Sequence, residues 1–439
     1  MDEKIVTLFY LTEKFPIMLK TDAVSLIFGL TTILIWLLCG IYSFAYFKGD
    51  KKVKRYTVFY IFILFILLCL DFAGNLITFY FFYEMMTLFS VPLVFHTETK
   101  EAMMAGLKYL FYSLCGAYMV LFGFYFVNAK ASTLAFTAGG IFEKGILNSN
   151  GTILLLAAFF MIAGFSVKAG MFPLHAWLTS AHPVAPAPAS AFLSGIIVKA
   201  GILGMIRTIF YIFGAEFIRG TWVQTTILIL SLFTVFLGSM LAYREKVLKK
   251  RLAYSTVSQI SYIIFGLIVL EPIAFTGAML HVVFHAVIKS CLFLCAGAII
   301  HETGLYRTGE LRGIGKRMPV TLWCFAFASL SLIGIPPAAG FVSKWNLCIG
   351  SLSSGIPVFS VLGPVVLLVS ALLTAGYLLP IVIRGFLPGE EYKNIPVEKC
   401  ATSKLMLIPM VVLAVLCVLL GVLPNGLLHL LSNIATEIM

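Results

Sequence analysis

Runs of about 20 mostly apolar residues recur along the whole chain, and this repetition constrains the fold more than any other feature. A helix of about that length crosses the roughly 30 Å hydrocarbon core of a bilayer. Because 61% of the 439 residues are hydrophobic and only 11% are charged, a soluble globule with one buried core is excluded. The sequence therefore predicts an all-α polytopic membrane protein, in which residues 1–439 form a single membrane domain.

Hydropathy predicts twelve spans, with residues 1–20 lying along the membrane surface. The spans are 22–47, 56–70, 72–95, 104–127, 152–178, 188–213, 222–243, 253–270, 274–300, 319–350, 358–386 and 403–430. Loops that follow odd-numbered spans hold 18 Lys and Arg residues, and the segments on the other side hold six. Those six are Lys4, Lys14, Lys20, Lys130, Lys144 and Arg219.

This charge asymmetry predicts the orientation, because basic loops stay in the cytoplasm. We expect a multi-pass protein of the cell membrane with both termini on the outer face. The formal net charge of +12 is then explained by membrane orientation, and no nucleic acid partner is expected.

Four lysines lie near the centres of apolar spans, where each costs roughly 2.5–3.5 kcal/mol to insert. They are Lys168, Lys199, Lys289 and Lys344. Three other basic residues (Lys108, Arg207 and Arg384) lie nearer to span ends, and we expect their side chains to reach the interface. Glu84 is the one acid deep within an apolar run, and it is expected to need a lysine nearby to stay charged.

Prolines interrupt two of the spans that carry these lysines. Pro173 and the following prolines break the region after Lys168, and Pro336 and Pro337 precede Lys344. The interruptions occupy corresponding places in two five-helix blocks, 56–213 and 222–386, so we predict a structural repeat. Because each block has an odd number of spans, the second enters the membrane from the opposite side and the repeat is inverted. The blocks are flanked by a first span, 22–47, and a last span, 403–430.

His281, His285 and Lys289 follow one another at four-residue steps, which aligns them on one helix face. Histidine titrates near neutral pH, so such a row suits proton transfer. A metal site at the two histidines is an alternative that lacks further ligands nearby, and a packed polar core is another.

Eight motifs in order resemble the antiporter-like subunits shared by respiratory complex I, Mrp cation/proton antiporters and the membrane-bound hydrogenase and sulfur-reducing relatives of complex I. The motifs are TDAVSL, FFYEMMTL, GFSVKAGMFPLHAWL, AHPVAPAPASAFLSGIIVKAGI, RLAYSTVSQISYI, LHVVFHAVIKSCLFL, GAIIHETGLYRTGELRGIGKRMP and GIPPAAGFVSKW. The resemblance implies that Glu84 and Lys168 are a carboxylate–lysine pair, that Lys199 is a central lysine and that Lys344 is an exit-side lysine. It also implies that His281, His285 and Lys289 form a connecting helix. This chain looks like family helices three to fourteen and lacks the long lateral helix of some members.

The hypothesis is proton translocation, or proton/sodium antiport, along Glu84, Lys168, Lys199, His281, His285, Lys289 and Lys344. No P-loop, Rossmann fingerprint or cofactor-type cysteine pair is present, so no cofactor is expected and the chain is not catalytic alone. The resemblance implies other membrane subunits of a redox-driven or Mrp-type complex as partners. The rival hypothesis is a non-transporting structural or assembly subunit, and a membrane enzyme lacks any signature.

Overall fold

The structure is a computed structural model that describes residues 4–13, 15–389 and 400–439. Its strands are β1 Ile5–Thr12 and β2 Phe15–Lys20. The helices are α1 Ala23–Tyr46, α2 Val53–Asp71, α3 Leu76–Val94, α4 Lys100–Lys130, α5 Lys144–Ser149, α6 Gly151–Ala169, α7 Ala176–Val184, α8 Ala187–Phe213, α9 Trp222–Arg244, α10 Leu248–Ile268, α11 Pro272–Thr303, α12 Pro319–Ile333, α13 Ala339–Ser353, α14 Phe359–Phe386, α15 Lys404–Val422 and α16 Asn425–Ile438.

The prediction of an all-α membrane protein is confirmed. Ten helices in the described part of the chain are long and apolar enough to cross a membrane. Two further predicted spans correspond to α10, whose first turn carries Lys249, Lys250 and Arg251, and to the interrupted pair α12 and α13. Of the basic loop residues in the charge count, Lys14, Lys393 and Lys399 lie outside the described residues.

The N-terminal segment is a β-hairpin, which hydropathy alone did not predict. Strands β1 and β2 pair antiparallel. The sequence IVTLFYLT is rich in β-branched and aromatic residues, which favour strands. Strand β2 is fixed to the α2–α3 connection, because Lys20 N donates to Phe72 O at 2.7 Å and Gly74 N donates to Met18 O at 2.9 Å.

The most buried helices are α8, α10 and α11, and they form the centre of the molecule. The outer helices α4 and α14 instead expose large apolar side chains, such as Phe111 at 65% and Leu372 at 73%. Apolar outer surfaces suit lipid, and a buried polar side chain in the central helices is shielded from lipid on every side.

Contacts between loops define two opposite faces. The hairpin face joins β1–β2, the α2–α3 connection, the segment 131–142 and the end of α8, as in the bridges Leu19↔Ala73 and Asn75↔Ala135. The basic face joins the loops after α1, α3, α9, α11 and α14, as in the bridge Val247↔Arg307. For the loops that these contacts place, the division agrees with that of the charge count.

The two interrupted spans share one local geometry. Gly170 (φ 78°) caps the end of α6 and Gly334 (φ 92°) caps the end of α12, both in the left-handed conformation that favours glycine. Each glycine precedes a proline by three residues, Pro173 or Pro337. Helix α6 starts from the hairpin face and α12 from the basic face, so the two run in opposite directions. The predicted span 152–178 thus ends earlier, at Ala169.

Candidate functional site

Lys168 is fully buried at the end of α6, two residues before Gly170. Its ammonium Nζ donates to Thr87 Oγ1 at 2.8 Å, Tyr109 OH at 3.1 Å and Ser113 Oγ at 2.9 Å. All three ammonium donors therefore have hydroxyl acceptors, which offset part of the cost of burying the charge.

Glu84 lies on α3 one turn before Thr87, and it interacts electrostatically with Lys168. The two side chains do not form a direct ion pair within the described residues, because the three hydroxyls occupy the lysine. Glu84 is half-buried, and its Oε1 is buried without a hydrogen-bond partner among those residues. The predicted carboxylate and lysine are thus close enough to interact electrostatically, and they do so without a direct ion pair among the described residues.

Lys199 lies in α8 beside a π-helical segment, Leu193–Ile197. Its Nζ donates to Ser194 O at 2.7 Å and lies 2.8 Å from Nδ1 of His285. A π-helical turn takes the backbone out of the regular i→i−4 pattern, so the Ser194 carbonyl is available five residues before the lysine. The nitrogen–nitrogen contact is short enough for direct proton exchange.

The histidines continue the row from Lys199 along α11. The rings of His285 and His281 lie 5.8 Å apart, and His281 Nδ1 is 2.9 Å from Ser343 Oγ. Nε2 of each histidine is buried without a hydrogen-bond partner among the described residues. Each ring therefore keeps one nitrogen that is not committed to a fixed bond.

Lys344 follows Ser343 on α13 and reaches back across the interruption. Its Nζ donates to Leu332 O at 2.6 Å and Ile333 O at 3.0 Å. These carbonyls lie in the last turn of α12, where a helix leaves its carbonyl groups without intrahelical donors. The ammonium also lies 5.0 Å from the ring centre of Tyr262, a cation–π distance.

Lys289 lies on the same face of α11 as the histidines, one turn beyond His285, and its side chain has different partners. Its Nζ donates to Leu252 O at 2.9 Å and Ser255 Oγ at 2.7 Å, and Tyr377 OH donates to the same Ser255 oxygen. Like the other three lysines it is buried.

The structure thus brings most of the predicted residues into one series and leaves two apart. In the buried centre Lys199 contacts His285, and His281 contacts Ser343. The two histidine rings lie 5.8 Å apart, and Lys344 is the neighbour of Ser343 in sequence. Glu84 and Lys168 form a second cluster in the first interrupted region, and no side-chain hydrogen bond joins the two clusters within the described residues.

Sequence reasoning missed most of the polar partners. The hydroxyls around Lys168 belong to α3 and α4, and their spacing from the lysine carries no local signal. Helix α10 does carry a local signal. Its sequence RLAYSTVSQISYI has polar residues all around the helix, which is typical of a span that is buried among other helices, and almost all of its residues are buried. Gln259 in this helix is buried, and its amide atoms lack partners among the described residues.

One expectation about charged residues was wrong, and the position of Arg207 at the interface stays a prediction. Arg207 is buried (2% exposed) in a bidentate pair with Asp22, at 2.6 and 3.1 Å, close to the hairpin face. Glu84 is not the one deep acid, because Asp71 is buried at 3% exposure and accepts a hydrogen bond from Thr32 at 2.8 Å. The sequence analysis placed Asp71 in the turn between the predicted spans 56–70 and 72–95, so its burial at the end of α2 was not expected.

Relatives and a family match agree with this architecture. The family described as NADH:quinone oxidoreductase/Mrp antiporter, TM, matches residues 73–374. NADH-quinone oxidoreductase subunit N of Desulforudis audaxviator is 32% identical over 396 residues, which cover 87% of this chain and 77% of that protein. A Na(+)/H(+) antiporter subunit of Bacillus subtilis is 30% identical over 416 residues, which cover 93% of this chain and 80% of that protein.

A solved structure shows the same fold. A chain in the Mrp complex from Dietzia sp. DQ12-45-1b superposes with a TM-score of 0.87 at 23% identity, covering 99% of this chain and 87% of that chain. The resemblance predicted from the eight motifs is therefore confirmed, and the chain belongs to the NADH:quinone oxidoreductase/Mrp antiporter membrane family.

Proposed function

We propose that this chain translocates protons through the membrane as one subunit of a multisubunit complex. The observation that carries the proposal is the buried series Lys199, His285, His281, Ser343 and Lys344. Each neighbour in it is a group that can give and accept a proton. Ionisable side chains inside a membrane are costly and mark ion pathways or proton relays.

The chemistry of the series favours H⁺ as the ion that it carries. Sodium is held by oxygen ligands, whereas four of the five groups present nitrogen. The carbonyl oxygens beside them, on Ser194, Leu332 and Ile333, already accept from lysine ammonium groups. Exchange of Na⁺ for H⁺ would then require a sodium site elsewhere in the complex.

Partner subunits supply the driving force in this proposal. Moving one charge through 100 mV costs about 2.3 kcal/mol. The relatives are named as subunits of an oxidoreductase and of a Na(+)/H(+) antiporter, which supports a place among other membrane subunits. The cluster of Glu84 and Lys168 lies in the other interrupted region, where a change of charge in a neighbouring subunit could be received.

We infer that 56–213 and 222–386 are inverted repeats within one membrane domain, flanked by spans 22–47 and 403–430. The matched glycine and proline spacing and the opposite directions of α6 and α12 support this inference. We also infer that the hairpin face is the outer face of the cell membrane, because the basic loops lie opposite. Impermeant thiol labelling tests the orientation: a cysteine at Thr133 should react from outside intact cells, and one at Thr97 only after lysis.

Transport is tested in the complex purified through a tag on this chain and reconstituted in vesicles. Lys344→Ala should remove proton flux per assembled complex, because it interrupts the series. The matched control is Lys404→Ala, which removes an exposed lysine at the start of α15. Loss of assembly with normal flux per remaining complex would favour the structural subunit.

A further inference from the structure

We propose that Asp71 is a proton-exchanging branch of the series, on the side of Lys199 that lies towards the hairpin face. The inference rests on the proposed function and adds a residue that the sequence motifs did not indicate. The carboxyl group of Asp71 lies at the end of α2, and its Oδ2 accepts from the Thr32 hydroxyl of α1 at 2.8 Å.

A shared cavity joins Asp71 to Lys199. It has a volume of about 10 Å³ and is lined by Thr31, Thr32, Asp71, Lys199 and Gly195, among others. That volume is about the minimum that holds one water molecule, and the lining offers the polar partners that such a water needs.

The hydrogen bonds of Lys199 leave a donor for this cavity. An ammonium has three N–H groups, and two of them point to Ser194 O and His285 Nδ1. The exchange is balanced within the pair: an N–H bond of Lys199 breaks, an O–H bond of Asp71 forms, and an ammonium and a carboxylate become an amine and a carboxylic acid. The buried ion pair is thereby exchanged for two neutral groups, which low-dielectric surroundings favour.

The opposite side of Asp71 leads to the hairpin face through a fixed cation. Arg207 interacts electrostatically with Asp71 and holds Asp22 in the bidentate pair. Asp22 and Glu437 line a cavity of about 270 Å³ at that face. Because arginine does not lose its proton in proteins, Arg207 acts as a positive barrier to free protons rather than as a carrier.

A purely structural role explains Asp71 poorly. It is the last residue of α2, and a carboxylate at the C-terminal end of a helix faces the negative end of the helix dipole. Asparagine would accept the same Thr32 hydrogen bond without a buried charge. The titratable groups near Asp71 are Lys199 across the cavity, Arg207 and the Asp22 bound to it, and Lys20, which interacts with Asp22.

The test is Asp71→Asn in the assembled complex, with proton flux measured against pH and the infrared carboxylic-acid band followed in H₂O and D₂O. We expect flux to fall by about 10²-fold, the lower end of the range for loss of a proton-transfer group, and the band of one protonated carboxyl to disappear. Asp50→Asn is the control, because Asp50 is an aspartate on the basic face paired with His96. It should leave flux and band unchanged.

The outcomes separate this branch from the main series. Normal flux and an unchanged band in Asp71→Asn, with flux lost in Lys344→Ala, overturn the branch and keep the proposed function. Normal flux in both overturns both. Thr32→Val leaves the carboxylate but removes its hydrogen bond, so it should shift the pH profile of flux; an unshifted profile also counts against the branch.

Discussion

Both interrupted spans contain a helix that is capped by a left-handed glycine followed by a proline, and both bury a lysine. The hydrogen-bond partners of the two lysines differ. Lys168 precedes its interruption, and its ammonium donates to three side-chain hydroxyls. Lys344 follows its interruption, and its ammonium donates to two backbone carbonyls. A hydroxyl can turn and donate to a neutral amine, whereas a carbonyl only accepts. The first site therefore suits both protonation states, and the second favours the ammonium.

The largest expected effect comes from replacing either lysine by an apolar residue of similar length. Lys168→Met and Lys344→Met should each lower proton flux by about 10²–10⁴-fold, because a proton-transfer group is lost. Each substitution leaves the buried acceptors of the lysine without their donor, which costs about 1–3 kcal/mol per group, so the thermal midpoint should fall while the complex still assembles. Flux is measured in vesicles and the midpoint by thermal unfolding.

An unfolded or unassembled complex in both variants, with normal flux in the assembled remainder, would contradict this prediction. Loss of flux in one variant alone would show that the two interrupted spans are not parts of one pathway.

An intermediate effect on proton flux is expected from removing a hydroxyl that binds Lys168. Lys344 binds backbone carbonyls instead. Ser113→Ala removes one of three acceptors from Lys168, and hydrogen bonds to charged groups contribute about 1.5–3 kcal/mol each. The pH profile of flux should shift, with the maximum rate reduced only a few fold. Ser354→Ala serves as the control, because that hydroxyl donates to a backbone carbonyl at a helix end. An identical profile for Ser113→Ala and the wild type would show that the hydroxyls do not tune the lysine.

The smallest expected effect is the difference in proton flux between alanine variants of Gly170 and Gly334, the glycines that cap α6 and α12. Alanine at either position faces a left-handed conformation that costs roughly 1–2 kcal/mol. At Gly334 the new Cβ would lie 3.1 Å from Cδ of Lys344, whereas at Gly170 it would lie 3.1 Å from Cδ1 of Leu178. Both variants should lower thermal stability, and Gly334→Ala should in addition lower flux. Gly145→Ala, with open space around the Cβ, should change neither.

Equal flux in Gly334→Ala and Gly170→Ala would indicate that the position of the Lys344 side chain beside Gly334 is not critical.

The sequence allowed the spans, the interruptions and the buried lysines to be predicted because hydropathy and proline are local signals. The pairing of Asp22 with Arg207 joins residues far apart in the chain, at a helix start and near a helix end, and no local pattern indicates it. The hydroxyl partners of Lys168 were missed for the same reason. The hairpin was missed because β1 is exposed along its whole length and its sequence, IVTLFYLT, does not alternate between apolar and polar residues.

The most direct test of proton transfer along the buried series is proton flux in His285→Gln, measured per assembled complex in reconstituted vesicles. His285 is the residue that contacts Lys199 and leads to His281 in the described part of the chain. Glutamine preserves polarity and hydrogen bonding but does not exchange a proton near neutral pH. We predict that flux falls to the level of vesicles without the complex, and wild-type flux in a fully assembled His285→Gln complex would contradict the proposed pathway.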